Sequence, residues 1–176
     1  LKTLTVLARA SALTAEREIA FIFDEIQCGL GRTGHFFAYE SVGVVPDMLT
    51  LAKPLAGGLP MGAVLVSEEI GATIQPGDHG TTFGGGPLVA AVALHVVDRL
   101  SDPSLLRSVR ENGAWLGEQL DALARRSGKV RAIRGTGFIW GLDVVESANE
   151  SVKRGWNEGR LALTAGGQTP RILPRP

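Results

Sequence analysis

The chain has 176 residues, and its 18 Lys plus Arg balance 18 Asp plus Glu, so it carries no formal net charge. A neutral chain without a basic block offers nothing for nucleic-acid phosphates, and 44% apolar with 20% charged residues excludes a disordered tail. A single cysteine excludes an internal disulfide and a multi-cysteine metal site, no apolar run approaches the ~18 residues of a membrane span, and the 23 glycines follow no collagen period.

Leu1 to Ala20 mixes basic and acidic residues and lacks a compact apolar stretch with a cleavage site, so it does not read as a signal peptide. Ala20 to Phe23 is a short apolar run closed by Asp24 and Glu25, as expected of a strand buried on both faces. Met48 to Ala52 repeats the pattern and is closed by Lys53-Pro54. Gly62 to Val66 is a third run, after which Ser67 is placed to cap a short helix at Glu68-Glu69. Residues 75–86 form a loop rich in Gly, Thr and Pro, and Pro87 suits the first position of a helix. Leu88 to Leu100 is apolar almost all round and predicts a buried helix. Asp102-Pro103-Ser104 starts a longer helix, with Leu105, Val109, Leu116, Leu120 and Leu123 on one face and an end near Gly128. Val130 to Ile133 and Phe138 to Val145 read as strands, Ser147 to Glu158 as a helix, and Leu161 to Leu163 and Arg171 to Leu173 as short strands. The character of the chain changes near residue 100, which predicts an α/β part over residues 1–100 and a smaller α+β part over residues 101–176.

Several positions invite a chemical reading. Gly29-Leu30-Gly31-Arg32-Thr33-Gly34 has the G-x-G-x-x-G pattern of a dinucleotide loop. Four residues separate it from the strand, however, and Gly43 and Pro46 leave little room for a crossover helix, so a glycine-shaped surface loop is the simpler reading. Asp24, at the end of an apolar run, either caps a turn or faces a cationic ligand nitrogen. Lys53 either snorkels to water or, in apolar surroundings, supplies the neutral amine of a Schiff-base lysine. Together these two suit pyridoxal phosphate, which needs a lysine for its aldehyde and a carboxylate at its ring nitrogen. Thr81 to Pro87 adds hydroxyls and amides ahead of a helix, which suits a phosphate or an ordinary cap. His35, His79 and His95 lack metal-ligand spacing, and Cys28 reads most simply as an inert small residue.

At these same residues the chain resembles a known family. Phe23-Asp24-Glu25-Ile26-Gln27-Cys28-Gly29-Leu30-Gly31-Arg32-Thr33-Gly34 is similar to the F-D-E-[VI]-Q-x-G-x-G-R-T-G signature of class III pyridoxal-phosphate aminotransferases. Pro46-Asp47-Met48-Leu49-Thr50-Leu51-Ala52-Lys53 resembles the segment carrying that family's Schiff-base lysine. Gly80-Thr81-Thr82-Phe83-Gly84-Gly85-Gly86-Pro87-Leu88 resembles its G-[ST]-T-[FY]-G-G-N-P-L loop. Within the family, residues 52–64, Gly77-Asp78-His79-Gly80 and Leu161 to Gly166 are most similar to the members that move the δ-amino group of N2-acetylornithine to 2-oxoglutarate in arginine biosynthesis. Other ω-amino donors, ornithine or 4-aminobutyrate, are the nearest alternative, and a non-catalytic product is another.

The resemblance implies part of a fold type I large domain, a mostly parallel mixed sheet with helices, followed by a smaller α+β domain. It implies pyridoxal phosphate held by Lys53, with Asp24 at the pyridinium nitrogen, Gln27 on the ring hydroxyl and Ile26 against the ring. Thr82 matches the threonine reaching the cofactor phosphate of a neighbouring subunit, which implies a homodimer with shared sites. Arg171 matches an arginine near the substrate. The implied partners are an amino donor and a 2-oxo acid, with neither nucleic acid nor membrane. The implied location is the mitochondrial matrix or another organelle, with the cytoplasm as the alternative. Gly86 departs from the family's usual Asn, and residues 1–18 match its preceding helix poorly. Counterparts of the family's first half, with the phosphate loop, the ring-stacking aromatic and the carboxylate-binding arginine, are not found, so a C-terminal part of a longer protein, inactive alone, is expected.

Overall fold

The structure is a computed structural model that describes residues 2–160, 162–165 and 170–172. The chain forms two compact units. One comprises the residues up to Gly31 and His35–Asp102, and the other Arg32–Gly34 and the residues from Pro103 onward.

The first unit opens with helix α1 (Lys2–Ala15). Its Ala, Leu and Arg content supports a helix on propensity alone. The helix ends in paired C-terminal bonds: the Ile19 amide donates to the Thr14 carbonyl at 3.0 Å and the Glu18 amide to Ala15 at 3.3 Å. Strand β1 (Ile22–Asp24) runs parallel to β2 (Met48–Leu51), which pairs antiparallel with β3 (Ala63–Val66). The order is β1-β2-β3, so β2 is central. Ser67 caps the short helix α2 (Glu68–Gly71) by accepting from the Ile70 amide at 3.3 Å, and α3 (Pro87–Leu100) begins at Pro87.

The core of this unit gathers Leu30, Leu49, Leu51, Leu55, Ala56 and Ala93, with partly buried aromatics packed against it. Central β2 shows the alternation of a half-buried strand, with Leu49 and Leu51 inward. The expectation of strands buried on both faces is not met. Ile22 is 52% and Val64 58% exposed, because β1 and β3 are the edges of a three-stranded sheet and the core lies on one side. Helix α3 likewise buries only Ala93 and leaves Leu88 and Leu94 exposed.

The second unit packs helix α4 (Pro103–Ser127) on strands β4 (Val130–Thr136) and β5 (Ile139–Val144). Ser147 precedes helix α5 (Ala148–Asn157), and β6 (Leu163–Thr164) and β7 (Pro170–Ile172) complete an antiparallel sheet ordered β4-β5-β7-β6. Along α4 the buried positions are Val109, Gly113, Gly117 and Leu120, a stripe at helical spacing. Two of them are glycines because the sheet comes too close for a side chain. A Cβ on Gly113 would stand 2.6 Å from the Gly137 Cα, and one on Gly117 2.7 Å from the Trp140 ring. Arg32–Gly34 is built into this unit: the Phe138 amide donates to the Arg32 carbonyl at 2.9 Å, and the Arg110 guanidinium donates to the Gly34 carbonyl. The second half of the glycine motif therefore serves packing here.

Candidate functional site

Asp24 is the last residue of β1 and stands opposite Thr50 in the parallel register. Lys53 follows β2 by two residues, so Asp24 and Lys53 both come from the carboxyl ends of adjacent parallel strands, where α/β sheets place their ligands. The lysine sits in a tight turn, in which the Leu55 amide donates to the Ala52 carbonyl at 2.7 Å. Buried Leu51 and Leu55 anchor the turn on both sides. Lys53 itself is exposed and makes no hydrogen bond or ion pair with another described residue. Its surroundings within this chain are therefore open, not apolar as the adjoining sequence suggests, because Leu51 and Leu55 turn inward to the core.

Asp24 is exposed as well, and one of its oxygens is engaged. Oδ1 accepts from the Ile26 amide at 3.1 Å and from the Thr50 hydroxyl at 3.0 Å. Oδ2 accepts nothing from the described residues. Ile26 and Gln27 follow in the first turn after the strand and are half-buried.

The neighbouring acid has a different fate. Glu25 is 3% exposed, and its two oxygens accept from the Ala38 amide at 2.7 Å and the Tyr39 amide at 2.8 Å. These amides open the one-turn 3₁₀ helix Ala38–Ser41, so Glu25 acts as its remote cap. Burial pushes the Glu25 carboxyl above its ordinary range, and the two amide bonds oppose that shift. The bend closes tightly: a Cβ on Gly29 would lie 2.8 Å from Glu25 Oε2. Cys28 is half-buried, its Sγ 3.7 Å from the Asp24 carbonyl, and burial pushes its thiol up, away from the reactive thiolate.

This path from β1 to β2 contains turns and one four-residue 3₁₀ helix, and no α-helix opens at the glycines. The dinucleotide reading of Gly29 to Gly34 is thereby overturned, because a pyrophosphate site needs a helix N-terminus there. Thr82 lies in the exposed loop before α3. That loop shares a cavity of about 350 Å³ with Pro60, Met61 and Gly62, and neither Asp24 nor Lys53 lines it. Arg171 lies in β7 of the second unit, paired with Gly141 and Leu163; its side chain is outside the described residues, as are the residues at 161, 166–169 and 173–176. No cluster of metal-ligating side chains occurs among the described residues, and no helix among them is long and apolar enough to cross a membrane.

The structure thus brings Asp24 and Lys53 to one strand edge, with Ile26 and Gln27 beside Asp24, and adds two residues to which sequence reading assigned no role, Thr50 and Glu25. Thr50 had one sequence signal, a lone hydroxyl in the apolar run from Met48 to Leu51. Glu25 had none beyond standing next to Asp24.

An α/β edge that pairs a strand-end carboxylate with a lysine on the neighbouring strand defines a class of lysine-bearing α/β proteins. Residues 2–175 match the family Aminotransferase class-III, and the chain belongs to that family. It is similar to the mitochondrial acetylornithine aminotransferase of Alnus glutinosa, at 51% identity over 87% of this chain and 34% of the relative. It is also similar to the acetylornithine aminotransferase of Thermosynechococcus vestitus, at 46% identity over 92% of this chain and 40% of the relative. Among solved structures it superposes on the N-acetylornithine aminotransferase of Stenotrophomonas maltophilia, with a TM-score of 0.85 and 32% identity over 96% of this chain and 44% of that one. The ornithine δ-aminotransferase of Plasmodium falciparum gives a TM-score of 0.90 at 28% identity over 97% of this chain and 44% of that one. The chain therefore spans less than half the length of these relatives.

Proposed function

We propose that this chain supplies one side of the pyridoxal-phosphate site of an aminotransferase that moves the δ-amino group of N2-acetyl-L-ornithine to 2-oxoglutarate. The observation that carries this reading is the pairing of β1 with β2, which puts Asp24 and Lys53 on one edge. The donor set fits the cofactor: an exposed carboxylate with one free oxygen, an exposed primary amine, a carboxamide beside them and a hydroxyl on a glycine-rich loop. When bound, pyridoxal phosphate supplies an electron sink for the carbon being deprotonated.

The chain's own residues then have distinct tasks. Asp24 keeps the ring nitrogen protonated by offering an anion to it. Gln27 hydrogen-bonds the ring hydroxyl, and Ile26 packs on the ring face. Lys53 would hold the cofactor through its aldehyde and, as a free amine, would carry a proton from and to the substrate carbon. Thr82 would bond the cofactor phosphate of a second copy, which makes the working assembly a homodimer, and Arg171 is a candidate residue for the substrate site. Residues 1–100 belong, on this reading, to the cofactor-binding domain and residues 101–176 to the smaller one. The mitochondrial names of the Alnus and Dictyostelium relatives support an organellar location.

Borohydride reduction of the cofactor-loaded full-length protein tests the site. Label on Lys53, and its loss together with activity in Lys53→Ala, is the expected result. Label on another lysine, with activity kept in Lys53→Ala, overturns it. The likeness to the Plasmodium ornithine δ-aminotransferase favours ornithine as a second amino donor to try. A panel of acetylornithine, ornithine and 4-aminobutyrate, compared by kcat/KM, decides between them.

A further inference from the structure

The Asp24 carboxylate does not stand alone at the strand edge, and the way it is held selects which of its oxygens is available. Its Oδ1 already accepts two bonds, from the Ile26 amide at 3.1 Å and the Thr50 hydroxyl at 3.0 Å. The Ile26 bond is local, spanning two residues, and belongs to the turn that follows the strand. The Thr50 bond is not local: it crosses between strands, from a residue 26 positions away.

Thr50 is unusually well fixed for a hydroxyl donor. It lies on the central strand, paired with Asp24 on one side and Val64 on the other. Its carbonyl accepts from the Glu25 amide at 3.0 Å, which locks the chain just beyond Asp24 against it. A β-branched side chain on such a strand has few χ1 choices, so the hydroxyl direction follows from the backbone. The strand would accept Val at this place at least as well, since Met48, Leu49 and Leu51 around it are apolar. The one thing Thr adds over Val is the hydroxyl, and that hydroxyl bonds Asp24. Without Thr50 the carboxylate would be held at this exposed strand end by the local Ile26 amide alone, a weaker restraint on its last torsion.

We propose that Thr50 is a positioning residue of the cofactor site: its hydroxyl pins Asp24 Oδ1 so that Oδ2 alone is presented to the cationic ring nitrogen. The proposal rests on the reading of Asp24 and Lys53 as cofactor-site residues. It adds that the ring nitrogen's protonation depends on a residue of β2 that never touches the cofactor.

The test uses full-length protein and three variants, Thr50→Val, Thr50→Ser and Asp24→Asn. Three quantities are read: borohydride labelling of Lys53, the dissociation constant of pyridoxal phosphate from the apoprotein, and the ¹⁵N chemical shift of ring-labelled cofactor. Thr50→Val is expected to keep Lys53 labelling, weaken cofactor binding several-fold, less than the roughly 10- to 150-fold of a directly lost hydrogen bond to a charged group because Thr50 does not touch the cofactor, and move the ¹⁵N shift toward that of a neutral pyridine. Thr50→Ser is expected to restore both. In an Asp24→Asn background the Thr50→Val effect should vanish, since there is no anion left to orient. If Thr50→Val does not fold, Thr50→Ala against Thr50→Ser gives the same comparison. Unchanged affinity and ¹⁵N shift with Lys53 labelling intact, or Ser no better than Val or Ala, overturns the role of Thr50 and leaves the cofactor site standing. Absence of Lys53 labelling in the parent protein overturns the site itself, and the proposal with it.

Discussion

Glu18 and Leu30 both hold a backbone φ of 54°, a region that L-residues other than Asn and Asp rarely adopt. Glu18 is exposed and closes α1, where glycine is the usual residue. Glu18→Gly is therefore expected to raise stability by about 1 kcal/mol, seen as a higher melting temperature. Leu30 is 3% exposed and belongs to the core cluster, so the same relief of strain is outweighed by lost burial. Leu30→Gly is expected to cost about 2–5 kcal/mol in a urea unfolding curve. Glu25 gives a pH-dependent case. Its carboxyl titrates above the ordinary range because burial disfavours the anion, so the folded state holds the proton more tightly than the unfolded one. Its contribution is fully present below the unfolded pKa and is lost as pH rises through the folded pKa. Glu146 works in the opposite sense, its carboxyl held low by Arg154 and Lys129, with stability lost as pH falls, though in the open solvent where salt screens it. Comparing parent with Glu25→Gln isolates the buried acid. The stability difference is expected to shift in favour of the Gln variant as pH rises from about 4 to about 7. A constant difference over that range contradicts the assignment.

At the scale of elements, α4 shows how a helix pattern can mislead. Its leucines predict the right helix, yet two of the positions packed most deeply are glycines. Alanine is the better helix former by about 1 kcal/mol, so Gly113→Ala would stabilise an isolated α4. In the folded unit the new methyl meets backbone, the Gly137 Cα at 2.6 Å and carbonyl oxygen at 2.7 Å, which cannot move without shifting the turn between β4 and β5. Gly113→Ala is expected to lose about 1–3 kcal/mol in chemical denaturation, the range of overpacked cores. Gly117→Ala meets the Trp140 ring, a side chain. That ring is held by its Nε1, which donates to the Gly137 carbonyl at 2.8 Å, so this variant should be destabilised less than Gly113→Ala but not be neutral. The strands were legible in the sequence for the reason α4 was only half legible. A run such as Met48 to Leu51 announces itself through its own residues, whereas the need for glycine at 113 is set by Gly137, on a turn the helix does not predict.

At the scale of the whole molecule, the chain spans about two-fifths of its relatives, and on the proposed reading its described residues would supply one side of a cofactor site. The 176-residue polypeptide alone is expected to show no measurable transamination of acetylornithine in a coupled glutamate assay; turnover there would contradict it. Sequence and structure divide the account along a physical line. The sequence by itself determined the family, the strand-end Asp24 and Lys53, the Ser67 cap and the start of α3 at Pro87, because each of these is written in contiguous residues. Only the tertiary structure decided that Asp24 stays exposed while Glu25 is buried under Ala38 and Tyr39. Likewise, it alone assigned Arg32–Gly34 to packing and paired the Thr50 hydroxyl with Asp24. Those outcomes depend on hydrogen bonds and close approaches between residues far apart in the chain, and no local pattern encodes such a partner.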